Sequence, residues 1–296
     1  MANREHLTLL RNQDRWTEWR KSAPQTPDLR DANLSGRRWE KLDLSGADLG
    51  RADLCETSLV AAHLNSANLK EAQLIDANLQ NADLSTADLT GAYLVEADLS
   101  FANLIGAELK RANLRGANLS NANLIATTLR EANLKEADLR GAKLNRTNLS
   151  AANLTEANLS EADLRNANLY EAELLGAFLY KTNLERANLV AAYLSKAYLF
   201  EADLLEADLY LTNLRWSNLS QADLRGAQLI EANLRGANLK GASLQSTDLR
   251  GANLRGANLS RADLSGANLQ KADIKEATFN KAKLQKTIMP DGTIHP

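Results

Sequence analysis

Asp203 and Asp223, twenty residues apart, come closest in this chain to a pair able to do acid–base chemistry. In a coil of twenty residues their carboxylates stack about 5 Å apart, near the spacing of a retaining glycosidase pair. That chemistry also needs a pocket that desolvates one carboxyl group, which a convex face does not offer. His6, His63 and His295 share no ligand spacing, and Cys55 is the single cysteine. Neither a zinc site nor a Cys-His nucleophile therefore has its parts. Gly251 and Gly256 have the glycine spacing of a phosphate loop, but Ala257-Asn258 stand where Lys and Ser/Thr must reach phosphate and metal. Asn118, Asn148 and Asn258 match glycosylation acceptors only because the chain repeats itself. No catalytic residue, cofactor or metal is expected, and the chain reads as a non-enzyme.

The element that holds these residues is set by a period of five. From Leu29 to Leu284 every fifth residue is Leu, except Trp39, Ile274 and Phe279. Two positions before each centre, from Ala47 to Ala282, stands Ala, Thr or Ser. On an α-helix five residues advance about 500°, so successive leucines fall about 140° apart and build no stripe. On a straight strand an odd period throws alternate leucines to opposite faces. The pattern requires short extended stretches with Ala and Leu pointing inward, joined by corners. With corners of about 90°, four repeats close a coil, and coils stacked about 4.8 Å apart make about 13 turns and a rod about 60 Å long.

Outward positions follow the same logic. The residue before each Leu is mostly Asp or Asn, whose short side chains bond nearby backbone in turns. Thirteen of the 15 glycines stand two positions after a centre, where a corner calls for positive φ. Other corners carry Glu, Arg or Asn, which predicts more than one turn geometry.

The five-residue motif Ala-Asp/Asn-Leu-X-X, kept in one register over about nine-tenths of the chain, resembles that of the pentapeptide-repeat family. The resemblance implies an all-β solenoid, a right-handed quadrilateral parallel β-helix. Handedness and the square section come from the resemblance; the period shows only a coil around an inward Leu/Ala stack.

Three segments are expected: a helical cap over 1–26, the repeats over 27–286, and a cap or tail over 287–296. Residues 3–21 read as one short amphipathic helix ended by Pro24 and Pro27, with Trp16 and Trp19 meeting Trp39 over the first coil. At the other end Ile274, Phe279, Ile288 and Met289 are large, and Pro290-Asp291-Gly292 signals a turn. That end is either a closing cap or an end-to-end dimer surface.

The surface divides into charge ladders and one aromatic region. The formal net charge of −2 and the absence of a concentrated basic surface argue against direct nucleic-acid binding. Arg215, Arg235, Arg255 and Lys275 form a basic ladder, either a solvated face or a strip for an anionic partner. Tyr170, Phe178, Tyr180, Tyr193, Tyr198, Phe200, Tyr210 and Trp216 cluster within about three coils, with Phe178 predicted to stack on Tyr198 and Tyr180 on Phe200. This reads as an interaction patch for an unidentified protein or a second copy. Short apolar runs broken by charge leave no signal peptide or membrane span, and the lone cysteine suits the cytoplasm. The expected function is a scaffold for protein–protein interaction. The alternative is the DNA mimicry that the family resemblance implies for binders of DNA gyrase or topoisomerase, which needs a strongly acidic surface.

Overall fold

The computed structural model describes residues 2–22 and 25–296. It contains two short helices followed by a ladder of isolated parallel bridges, and it divides into two compact units, Met1–Lys143 and Leu144–Pro296.

In the first unit, α1 spans Arg4–Leu9 and α2 spans Gln13–Ser22. The single helix expected over 3–21 is thus broken. The amide of Asn12 turns back onto the carbonyl of Leu9 at 3.0 Å, and its side chain accepts from the amide of Arg15 at 3.0 Å. An Asn at this point ends one helix and caps the next, because its amide oxygen satisfies an otherwise unpaired amide of the first turn. Pro24, expected to help stop the helix, lies outside the described residues. The ladder then runs from Asp28↔Asp48 to Asn123↔Lys143.

In the second unit the ladder runs from Asn148↔Asn168 to Asn268↔Ile288. In both units each parallel bridge joins a residue to the one twenty positions on, so four pentapeptides close a coil. Leucines at the centres from Leu29 to Leu269, and Ala, Thr or Ser two positions before them from Ala47 to Ala272, are buried. The interior threonines are satisfied: Thr182 and Thr212 donate to the carbonyls of Leu159 and Leu189 at 2.7 Å, so small polar residues sit in an apolar core without an orphaned hydroxyl.

One repeat shows why the period is stable. Ala187 donates its amide to Leu184 across the corner, Asn188 to Ala167 in the preceding coil, and Leu189 to Asp208 and Ala191 to Tyr210 in the following one. The remaining amide, of Val190, donates to the Asn188 side chain at 3.1 Å. Every amide of the five is paired. Where Asp or Asn precedes the Leu, as here, its side chain supplies the acceptor that the ladder cannot.

The corners correct one expectation. The second residue after every centre from Asp31 to Lys286 has a positive φ, whether Gly or not. One turn geometry serves Glu, Arg, Asn and Ala as well as Gly. Its amide must reach the following coil, and that long-range bond outweighs the roughly 1–2 kcal/mol by which an L-residue resists the left-handed region.

Candidate interaction surface

The second unit has four faces, named here by their centres: face one by Leu189 and Leu209, face two by Leu194 and Leu214, face three by Leu179 and Leu199, and face four by Leu184 and Leu204. Phe178 and Tyr198 occupy neighbouring coils of face three, rings parallel and 5.1 Å apart. At the following corner Tyr180 and Phe200 stack at 5.9 Å. The ammonium of Lys181 lies 5.2 Å above the Tyr180 ring and pairs with Glu201 at 3.5 Å. The Tyr180 hydroxyl and Glu201 push the Lys181 pKa upward, with Tyr180 the larger cause.

The other aromatic residues lie on different sides. Tyr170 and Tyr210 stand at the corner after face one, in the column of Val190. Its neighbour Glu171, mainly by hydrogen bonding, pushes the Tyr170 phenol upward. Tyr193 projects from face two and is 52 % exposed. Trp216, 56 % exposed, occupies a corner at φ 59°. Its indole covers the Cα of Gly236 in the next coil, where a Cβ would overlap the six-membered ring. The predicted residues thus form two stacked pairs on one side and single rings on two others.

The first unit holds exposed apolar residues that sequence reasoning missed: Tyr93, Ile105 and Phe101, the last 60 % exposed at φ 59°. Their signal was the one used for the larger cluster, a bulky residue at an outward or corner position.

Many charged side chains are paired, in two ways. Along columns, Arg111 meets Glu131 and Arg186 meets Glu206, each at 2.8 Å. Within a repeat, an Asp before the centre captures the Arg after it, as in Asp163–Arg165 at 2.6 Å and Asp223–Arg225 at 2.5 Å. The Arg165 hydrogen bond is the leading cause that holds Asp163 below its ordinary pKa. At Asp223 burial acts upward, and the Arg225 contacts outweigh it, so the net direction is also down. Asp223 is therefore occupied by Arg225, while Asp203 accepts the Leu205 amide at 3.0 Å. This pair is not a free acid and base.

The basic ladder differs. Arg215 and Arg235 follow Asn213 and Asn233, whose side chains accept the backbone amide of each Arg at 3.3 Å but not its guanidinium; Asn213 also accepts the Ser195 hydroxyl at 3.0 Å. Among the described residues no carboxylate pairs with Arg215, Arg235 or Lys275, whereas Arg255 meets Glu276 at 2.8 Å.

The two ends differ as well. At the start, Trp16, fully buried, donates its indole N–H to the Asp43 carbonyl at 2.8 Å, Gln13 donates to Arg38, and Arg20 to Ser45 and the Asp43 carboxylate. His6 Nδ1 accepts the Asp28 amide at 3.0 Å, and the Trp19 ring lies against both His6 and Trp16. Trp39 is buried and lines a cleft of about 440 Å³ with Leu10, Gln13 and Leu34. At the finish, residues 286–295 form a hairpin, Ile288 bridging Ile294 and Lys286 donating to His295. Ile274, Phe279, Leu284 and Met289 stay half-buried, and among the described residues the amides of Ile274, Glu276, Phe279 and Leu284 have no acceptor.

His63 is exposed, and burial pushes the half-buried Cys55 thiol upward. Among the described residues no group of three or more His, Cys, Asp or Glu is placed to hold a metal ion, and no helix is long and apolar enough to cross a membrane.

Comparison with known proteins places this geometry. The family profile described as Pentapeptide repeats matches residues 28–146, 147–215 and 217–289 in overlapping segments. Among solved structures the chain is 33% identical to HetL, a pentapeptide repeat protein involved in heterocyst differentiation regulation in the cyanobacterium Nostoc sp. strain PCC 7120, covering 90% of this chain and 94% of that one at a TM-score of 0.25. It is 20% identical to full-length QnrB1, a plasmid-mediated fluoroquinolone resistance protein, over 61% of this chain and 90% of that one at a TM-score of 0.49. It is 29% identical to a pentapeptide repeat protein of the Arabidopsis thaliana thylakoid lumen, over 34% and 71% at a TM-score of 0.33. No curated protein matches the chain significantly. A profile match over nearly the whole ladder and the inward Leu/Ala register lead to one conclusion: the chain belongs to the pentapeptide-repeat family, whose fold is a right-handed β-helix.

Proposed function

We propose that this protein is a non-enzymatic scaffold that presents its aromatic surface to a protein partner. The observation that carries this reading is the pair of parallel stacks, Phe178 on Tyr198 and Tyr180 on Phe200, held out from a ladder whose interior is already filled by Leu and Ala. Phe178 and Tyr198 are exposed without being needed in the core, and rigid rings of this kind bury large area at low entropic cost on association. Cytoplasmic residence belongs to the same reading and is supported by the free Cys55.

The test replaces Phe178, Tyr180, Tyr198 and Phe200 by Ser and compares captured partners and oligomeric state with wild type. The expected result is an intact fold and a lost association. Unchanged partners and oligomeric state overturn the proposal.

Self-association through the final coil is a second reading, favoured by the half-buried Phe279 and Leu284 and the free amides beside them. Sedimentation of a Phe279→Asp variant tests it: a dimer that persists rejects this surface. The gyrase-binding alternative has less support, since it needs an acidic surface and the second unit carries the column Arg215, Arg235, Arg255 and Lys275.

A further inference from the structure

Face two of the second unit carries four consecutive stacked pentapeptides without a single carboxylate: 192–196, 212–216, 232–236 and 252–256. They hold four cations, Lys196, Arg215, Arg235 and Arg255, and two exposed rings, Tyr193 and Trp216. Elsewhere in this unit an Arg after a centre is claimed by an Asp two positions earlier, as at Asp163–Arg165, Asp223–Arg225 and Asp248–Arg250. On face two that position is Asn213, Asn233 and Asn253, whose side chains satisfy the turn amide without holding the guanidinium. The turn chemistry is the same. The charge of Arg215 and Arg235 is left free, while Arg255 reaches Glu276 of the next coil at 2.8 Å.

The spacing of this column selects its ligand. Coils repeat about every 4.8 Å. Carboxylates that recur once per turn of an α-helix lie about 5.4 Å apart, so three steps accumulate about 2 Å of mismatch, within reach of flexible Arg side chains. Alternate side chains of an extended strand recur every 6.6–6.8 Å or so and drift about 6 Å over the same steps. Phosphates along one strand of duplex DNA advance about 3.4 Å and drift about 4 Å the other way. Trp216, flat over Gly236, and Tyr193 add apolar surface at one end of the column.

We propose that face two binds an acidic α-helix whose carboxylates form one stripe, recurring once per turn, with an apolar residue seated on Trp216. This surface is separate from the stacked pairs of face three, so either can fail without the other.

Fluorescence anisotropy tests the proposal on the full chain. The probe is a synthetic helical peptide with Glu at i, i+4, i+7 and i+11, compared with a shuffled peptide of the same composition, a proline-interrupted peptide and single-stranded oligothymidylate. The stripe peptide is expected to bind about tenfold or more tighter than each control and to weaken as salt rises. Replacing Asn213, Asn233 and Asn253 by Asp keeps every Arg but offers each a carboxylate, and is expected to remove the binding. An Arg235→Ser variant is expected to weaken it severalfold, while the face-three serine variant leaves it unchanged. Equal binding of striped and shuffled peptides, tighter binding of the oligonucleotide, or full affinity in the triple Asn→Asp variant would each overturn it.

Discussion

The indole Nε1 of Trp16 donates to the backbone carbonyl of Asp43 at 2.8 Å, taking the place that an amide of a preceding coil would fill. One coil later the equivalent carbonyl, of His63, accepts the Leu44 amide at 2.7 Å. The carbonyls of Arg38 and Ser45 receive Gln13 and Arg20 in the same manner. α2 thus supplies side-chain donors to a ladder edge that otherwise ends in unpaired groups, the liability of any exposed sheet edge.

Trp16→Phe keeps the ring in its buried site and deletes the donor. It should cost about 1–2 kcal/mol, the penalty of an unsatisfied buried acceptor, measured by denaturant unfolding. An unchanged midpoint shows that Trp16 acts through packing alone.

The corners make a paired prediction. Around Gly256 no atom would lie within 4 Å of an added Cβ, so Gly256→Ala changes only backbone preference at φ +67° and should destabilise by about 1 kcal/mol. Ala191→Gly, at φ 56°, should have the opposite sign. Thermal unfolding of both variants checks it; equal signs would contradict a shared left-handed corner.

Interior volume is fixed in both directions. Leu184→Ala should cost about 2–5 kcal/mol through the cavity it leaves. Ala172→Leu, overfilling a buried site in the same unit, should cost at least about 1–3 kcal/mol. Amide exchange on either side of the substitution should accelerate first, because coils touch only their neighbours.

Acid should weaken the ladder. The Arg30 side chain, the largest cause, holds the Asp28 carboxyl at about 2, below the ordinary value near 3.9. A carboxyl group depressed in the folded state contributes stability that is present above its unfolded pKa and is lost as pH falls toward its folded one. Asp163 and Asp223 are shifted in the same direction. Stability is therefore expected to fall between about pH 4 and 2, and Arg30→Gln should return the Asp28 titration, followed by carboxyl NMR, toward the ordinary range.

The five-residue period alone determined that Leu and Ala point inward and that the chain coils, because no straight element keeps such a set on one side. Spacing by twenty also made the Phe178–Tyr198 and Tyr180–Phe200 stacks legible, since parallel coils without register shift place i beside i+20. Tertiary structure decided what depends on bonds between coils. Glu201 and Arg186 adopt the same positive φ as Gly176, because each corner amide must reach the next coil whatever its side chain prefers. The break between α1 and α2 rests on Asn12, whose capping role depends on a local bond that periodicity does not register. The freedom of Arg215 and Arg235 is likewise a geometric outcome: Asn and Asp read alike as turn residues, and only the folded distances separate a carboxylate that grips its arginine from an amide that leaves it open.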